Sequence, residues 1–291
     1  MSNFHPDFID KYKFTKEYRF HFRIHGIVFH FTVFEKSESY FKPSHLQLFL
    51  KKFLQLHQEM YPNKNIIKKQ VNIVIYDILL KKRLPAKKMA ITTEHINSGY
   101  CYINSDSKNT NIVVYRREEA YKVLIHELLH FFNTFPYDHD IQKGFSKHFS
   151  SVSNTIDVNE ALVELNALCL NCRIIANLTN KPYMKLLNEE FVFSTKQVRK
   201  LLTQQNVKFE NIIQNKFVWN EKTPAFSYFV LKHIFLANML NKTLYSINTT
   251  LNIKHNTNRN SFIKMTKNTY DYNIHTIAQN DLRTGKKELH L

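Results

Sequence analysis

Glycine is nearly missing: four residues in 291, namely Gly26, Gly99, Gly144 and Gly285. Four scattered glycines cannot build a phosphate-cradling loop, a dinucleotide fingerprint or a collagen repeat, so side chains must carry the chemistry. Cysteine is also scarce. Cys101, Cys169 and Cys172 are too few and odd in number for a disulfide framework, which fits a reducing compartment. Cys169 and Cys172 form a CxxC, but it stands in an apolar helical run with no second CxxC, and it reads as two buried thiols. No run approaches the roughly 18 uninterrupted apolar residues of a membrane span. The N-terminal residues Met1–Asp7 lack a charged segment followed by an apolar one, so no secretory signal is expected and an intracellular location, cytoplasmic or virion-associated, is the default. Acids are outnumbered, 24 against 41 Lys and Arg, for a net charge of +17. This charge opens a nucleic acid or another acidic partner as an option. The abundance of Lys, Asn, Ile, Phe and Tyr is also the usage of an AT-rich genome, which weakens that inference.

What is present is a globular composition, 43% apolar, in a chain long enough for one large domain or two small ones. Tyr18 to Phe34 alternates polar and apolar residues on both sides of Gly26, as a hairpin does. Pro43 opens a helix whose apolar residues recur at helical spacing through Met60, and Pro62 closes it. Short strands are expected over 71–76, 97–103 and 111–115. From Glu118 the pattern turns helical: one helix to Phe132, a second capped by Asp157 and running to about Ile175, and others near 183–188, 194–204, 208–215 and 224–246. The last forty residues are polar and read as partly irregular. Lys81 to Lys88 reads as a solvated basic connection, with nucleic-acid contact as the alternative. These signals predict an α+β fold, with a sheet-containing unit over 1–135 and a helical unit over 136–291.

The segment that carries chemistry is Tyr121 to Phe132, which contains His126-Glu127-Leu128-Leu129-His130, an HExxH motif. On a helix, residues i and i+4 share a face, so both imidazoles can address one ion, and Glu127 beside them can hold a water and take its proton. The trio sits among Val123, Leu124, Ile125, Leu129, Phe131 and Phe132. A helix so apolar on all sides is buried, and its polar residues need partners. A catalytic zinc usually takes a third protein ligand. Thirty residues past His130 stands Glu160, with Glu164 one turn further on the same face of another apolar helix. Two carboxylates buried together repel, and one stays protonated unless a cation or a proton donor meets them. Zinc on Glu160, with Glu164 accepting the outer N–H of a ligand histidine, satisfies both. Asp138, His139 and Asp140 compete for the third position; their plain reading is a solvated turn.

HExxH followed by Asn159-Glu160 and Glu164 resembles the gluzincin zinc metallopeptidases, the group of thermolysin and neprilysin. The resemblance spans about residues 95–170. It implies a zincin-like fold: a twisted mixed sheet carrying the HExxH helix, followed by a helical subdomain. It implies His126, His130 and Glu160 as Zn2+ ligands and Glu127 as general base. Glu164 stands where the family usually has an orienting aspartate, a departure of one methylene. The stretch Asn111–Glu119 leading into the motif is similar to zincin-like proteins of large DNA viruses. Zincins place an edge strand above the active-site helix, antiparallel to the bound peptide, which implies Asn97, Ser98, Gly99 and Tyr100 as substrate-binding residues. Gluzincins add a later tyrosine or histidine that donates to the oxyanion; Tyr228 and His233 are the candidates, with His148 as a third.

The expected function is that of a zinc metallopeptidase acting on a polypeptide. The alternative is a zincin-fold structural or virion-associated protein that binds nucleic acid through its basic surface without proteolysis.

Overall fold

A computed structural model describes residues 7–36, 40–64, 66, 70–102, 112–152 and 156–241. After a single helical turn, α1 (Asp7–Asp10), the chain forms β1 (Lys16–Ile24) and β2 (Ile27–Glu35), the expected hairpin. Its two-residue turn is His25-Gly26, both at positive φ (48° and 79°), which matches the twist of the flanking strands. Then come α2 (Pro43–Met60), β3 (Gln70–Tyr76), α3 (Thr93–Ile96), β4 (Gly99–Cys101) and β5 (Ile112–Val114). The five strands make one mixed sheet in the order β1-β2-β3-β5-β4. The two outer pairs are antiparallel and the two inner pairs parallel. Parallel pairing of β2 with β3 needs a crossover, and α2 supplies it.

A 3-10 turn (Arg117–Glu119) leads into α4 (Ala120–Phe131), followed by α5 (His139–His148), α6 (Val158–Thr179), α7 (Tyr183–Gln205) and α8 (Phe209–Ile213). A π-helical turn (Phe226–Leu231) then runs into α9 (Lys232–Asn241). The fold is thus α+β. One hydrophobic cluster runs from Ile24 in β1 to Ala237 in α9 and so crosses residue 135, where composition changes from sheet to helix. Helix α6 is long and apolar enough to span a membrane by length and composition, yet 78% of its apolar window is buried inside the fold.

Three expectations change. The segment after the HExxH helix is no plain turn: Asp138 accepts N–H bonds from Asp140 (3.2 Å) and Ile141 (3.1 Å) and so caps α5. The helices expected at 183–188 and 194–204 are one helix, because no Gly or Pro interrupts them and Glu190, Phe191 and Ser194 are buried along it. The basic stretch 81–88 is not wholly solvated, since Lys82 is buried against Glu119. The end of the helix expected over 224–246, the polar tail, Ile103 and Asn111 lie outside the described residues.

Candidate metal centre

Helix α4 packs with one side on β4 and β5 and with the other on α6. It is hydrophobic nearly all round, so its polar residues are carried inward: His126 and Glu127 are buried, and the His130 side chain is 13% exposed. Helix α6 begins at Asp157, whose side chain accepts the N–H of Glu160 (3.0 Å). The Asp157 N–H in turn donates to Ser227 Oγ in the π-turn (2.9 Å). This bond joins the start of α6, with Glu160, to the segment that carries Tyr228.

Helices α4 and α6 bring three atoms together. Nε2 of His126 and Nε2 of His130 are 3.1 Å apart, and each is 3.2 Å from Glu160 Oε2. Donors at roughly 2.0–2.2 Å from one tetrahedral ion stand about 3.3–3.6 Å from each other, so this triangle, at 3.1–3.2 Å, is slightly tighter than and close to the size one such ion would set. These residues form a group that could hold a metal ion. The donor set, two imidazole nitrogens and one carboxylate oxygen, is of the type zinc accepts. His126 Nδ1 faces Glu164 Oε2 at 2.9 Å, so a metal on Nε2 would leave Nδ1–H to donate to that carboxylate. Without a cation the charges must be met by protons. Burial would lower His126, but its hydrogen bonds to Glu160 and Glu164 outweigh that and raise it to about 10. Burial would raise Glu164, but Lys122 and His126 hold it at about 2.

Glu127 is buried beside the triangle, and among the described residues none hydrogen-bonds its carboxylate. Burial raises its pKa, partly opposed by the two histidines. It lines a cavity of about 40 Å³ together with Asn97, Ser98, Gly99, His126 and Tyr228. The Tyr228 ring centroid is 6.0 Å from that of His126. Burial and the neighbouring Glu160 and Glu127 push its phenol well above the ordinary value, so its O–H is a donor at any working pH. A π-turn carries this tyrosine, and the widened turn displaces it from ordinary helical register. Glu221 anchors the same turn, accepting from Phe226 N–H (2.7 Å) and Trp219 Nε1–H (2.7 Å).

No protein-family model and no curated protein matches the chain. Among solved structures it is similar to an aminopeptidase N family protein from Idiomarina loihiensis. The identity is 12% and the TM-score 0.41; the match covers 88% of this chain and 41% of that one, so this chain spans less than half its length. A likeness of that size carries no weight for the site, which rests on its own geometry.

Not every residue expected at the site is there. His233 is a core histidine: its ring stacks on Phe191 (centroids 5.1 Å) and its Nδ1 meets Ser194 Oγ at 3.2 Å. Burial and then Lys232 lower it to about 3, so it stays neutral. His148 closes α5 against Phe149. Asp138, His139 and Asp140 are exposed, with Asp138 capping and His139 edge-on to Tyr137. Strand alternation turns Tyr100 away from α4, onto Tyr102 and Tyr115. The Ser98 hydroxyl donates to Glu119 (2.5 Å), and the Asn97 carbonyl accepts from buried Arg116 (3.0 Å).

Gly99 also has a packing reason. A Cβ there would lie 2.7 Å from Val113 O, 2.7 Å from Val123 Cγ1 and 3.2 Å from Glu127 Oε1. The missing side chain lets α4 sit on β4. Gly99→Ala should therefore destabilise the fold by about 1–3 kcal/mol, read by denaturant unfolding; an unchanged midpoint would refute this packing role.

Sequence reasoning missed the cations. Lys82 pairs with Glu119, and Lys122 with Glu164, all four buried. The one available signal was Lys122 itself, a lysine one turn before His126 on an otherwise apolar helix.

Proposed function

We propose that this protein is a zinc-dependent peptidase of zincin-like architecture, with His126, His130 and Glu160 as zinc ligands. The observation that carries the reading is the triangle of donor atoms at 3.1–3.2 Å beside a carboxylate, Glu127, that has no hydrogen-bond partner among the described residues. Zinc, when bound there, supplies Lewis acidity that polarises a carbonyl and acidifies water. Glu127 takes the proton of the attacking water and returns it to the leaving amine. Tyr228 donates its O–H to the oxyanion of the tetrahedral intermediate. Among the described residues strand β4 ends the sheet, so the outer edge of Gly99–Cys101 offers backbone groups to an extended polypeptide.

The first test is metal content and hydrolysis together. Purified protein should carry about one zinc per chain, and it should cleave members of a quenched peptide library. A chelator should stop cleavage and added zinc restore it. Cleavage that persists in the chelated protein would exclude the mechanism. Tyr228→Phe should keep zinc and lose roughly 10²-fold in kcat, the usual value of one oxyanion donor.

A further inference from the structure

Glu160 and Glu164 lie one turn apart on the same face of α6, and both face His126: Glu160 Oε2 stands 3.2 Å from its Nε2 and Glu164 Oε2 stands 2.9 Å from its Nδ1. Spacing alone gives either glutamate a claim to the metal position. A glutamate is also a loose orienting group, with one more rotatable bond than aspartate. Something must keep Glu164 on the outer nitrogen.

The structure places Lys122 there. It precedes His126 by one turn of α4, so the two side chains share a face. Its Nζ pairs with Glu164 Oε1, while Oε2 of the same carboxylate meets His126 Nδ1. The Lys122 and Glu164 side chains are only 4% and 3% exposed, so water does not compete for either. The ammonium also acts on Glu119, which Lys82 and Ser98 hold from the other side. Lys122 thus pairs with Glu164 and is also attracted toward Glu119.

We propose that Lys122 is a positioning residue that divides the tasks of the two glutamates. It clamps one oxygen of Glu164 so that the other orients His126, and it leaves Glu160 as the carboxylate that faces the metal position. This rests on the zinc reading above.

The test is a double-mutant cycle on the full chain, with zinc affinity read by chelator competition and no substrate present. Glu164→Gln should weaken zinc about 10–100-fold, as loss of an orienting partner does. Lys122→Met should weaken it about tenfold or more. The double variant should bind zinc within about threefold of Glu164→Gln alone, because Lys122 reaches the zinc position only through Glu164. Lys122→Arg should recover most of the affinity. The visible absorption of the Co2+ form should change in Lys122→Met and be restored in Lys122→Arg, a response that mere loss of stability does not produce.

Multiplying losses in the double variant, or wild-type affinity in Lys122→Met, would overturn the proposal. Lys122→Met leaves a buried carboxylate short of a partner and can unfold. In that case the double variant against Glu164→Gln decides: equal affinities support the clamp, and a further tenfold loss refutes it. A wild-type protein that takes up no zinc would instead remove the metal reading itself, and the clamp with it.

Discussion

Glu127→Gln is expected to lower peptide hydrolysis by roughly 10²–10⁴-fold, the range of a lost general base, while zinc content stays at that of the wild type. Glutamine matches glutamate in shape and cannot accept the proton. The carboxylate it replaces is buried, lines the cavity with His126 and Tyr228, and has no hydrogen bond among the described residues that its loss would break. The substitution also removes a buried charge, so the variant should be at least as stable as the wild type. Metal analysis, kinetics on one quenched peptide and thermal unfolding check the three statements. Equal rates in wild type and variant would move the base elsewhere. The same pair of proteins separates the enzyme from the alternative built on the net charge of +17. If neither protein cleaves peptides, while both bind DNA with an affinity that falls steeply with salt, the basic surface becomes the functional feature.

Removal of a ligand should have the second large effect. His126→Ala and Glu160→Ala each delete one corner of the triangle and should weaken zinc by far more than the roughly 10–100-fold worth of an outer partner. The loss is visible without substrate. At a thousandfold excess of zinc over its Kd, binding stabilises the native state by about 4 kcal/mol, so zinc should raise the melting temperature of the wild type and leave these variants unmoved. Asp138→Ala gives the contrast. It should cost about 1 kcal/mol through loss of the α5 cap and leave zinc affinity unchanged. Reversal of that ranking would place the third ligand after the HExxH helix.

A pH effect follows from the anchor of the π-turn. Burial pushes the Glu221 carboxyl up to about 8, against the hydrogen bonds from Phe226 N–H and Trp219. The folded state then binds more protons than the unfolded one between about pH 4.5 and about pH 8, so this group makes stability fall as pH rises through that window. Thermal unfolding from pH 5 to pH 9 should show Glu221→Gln with a flatter profile and a higher melting temperature at the alkaline end. A steeper profile would refute the assignment.

The local elements were legible because their causes are local. The His25-Gly26 turn, the start of α2 at Pro43 and the i, i+4 face of His126 and His130 each depend on a few neighbouring residues. Glu160 was legible for a similar reason: a carboxylate pair on an apolar helix must meet a cation or a proton donor, or keep a proton, wherever that helix packs. Strand alternation by itself turns Tyr100 to the face opposite Gly99. The continuity of α7 was hidden because the buried side of Glu190 and Ser194 is set by partners distant in the chain, Lys232 and His233 among them.

Residue types and spacing fix the chemistry on offer: few glycines, two histidines and a glutamate on one helix, and two glutamates on another. Their spacing is a property of the helix repeat, which is the same in any protein. Tertiary structure alone decided which donors meet. It brought Glu160 Oε2 within 3.2 Å of both imidazoles, turned His233 into a core residue and put Lys122 behind Glu164. Those choices depend on how α4, α6 and the π-turn pack. Packing is settled by the shapes of many side chains at once, which no single motif encodes.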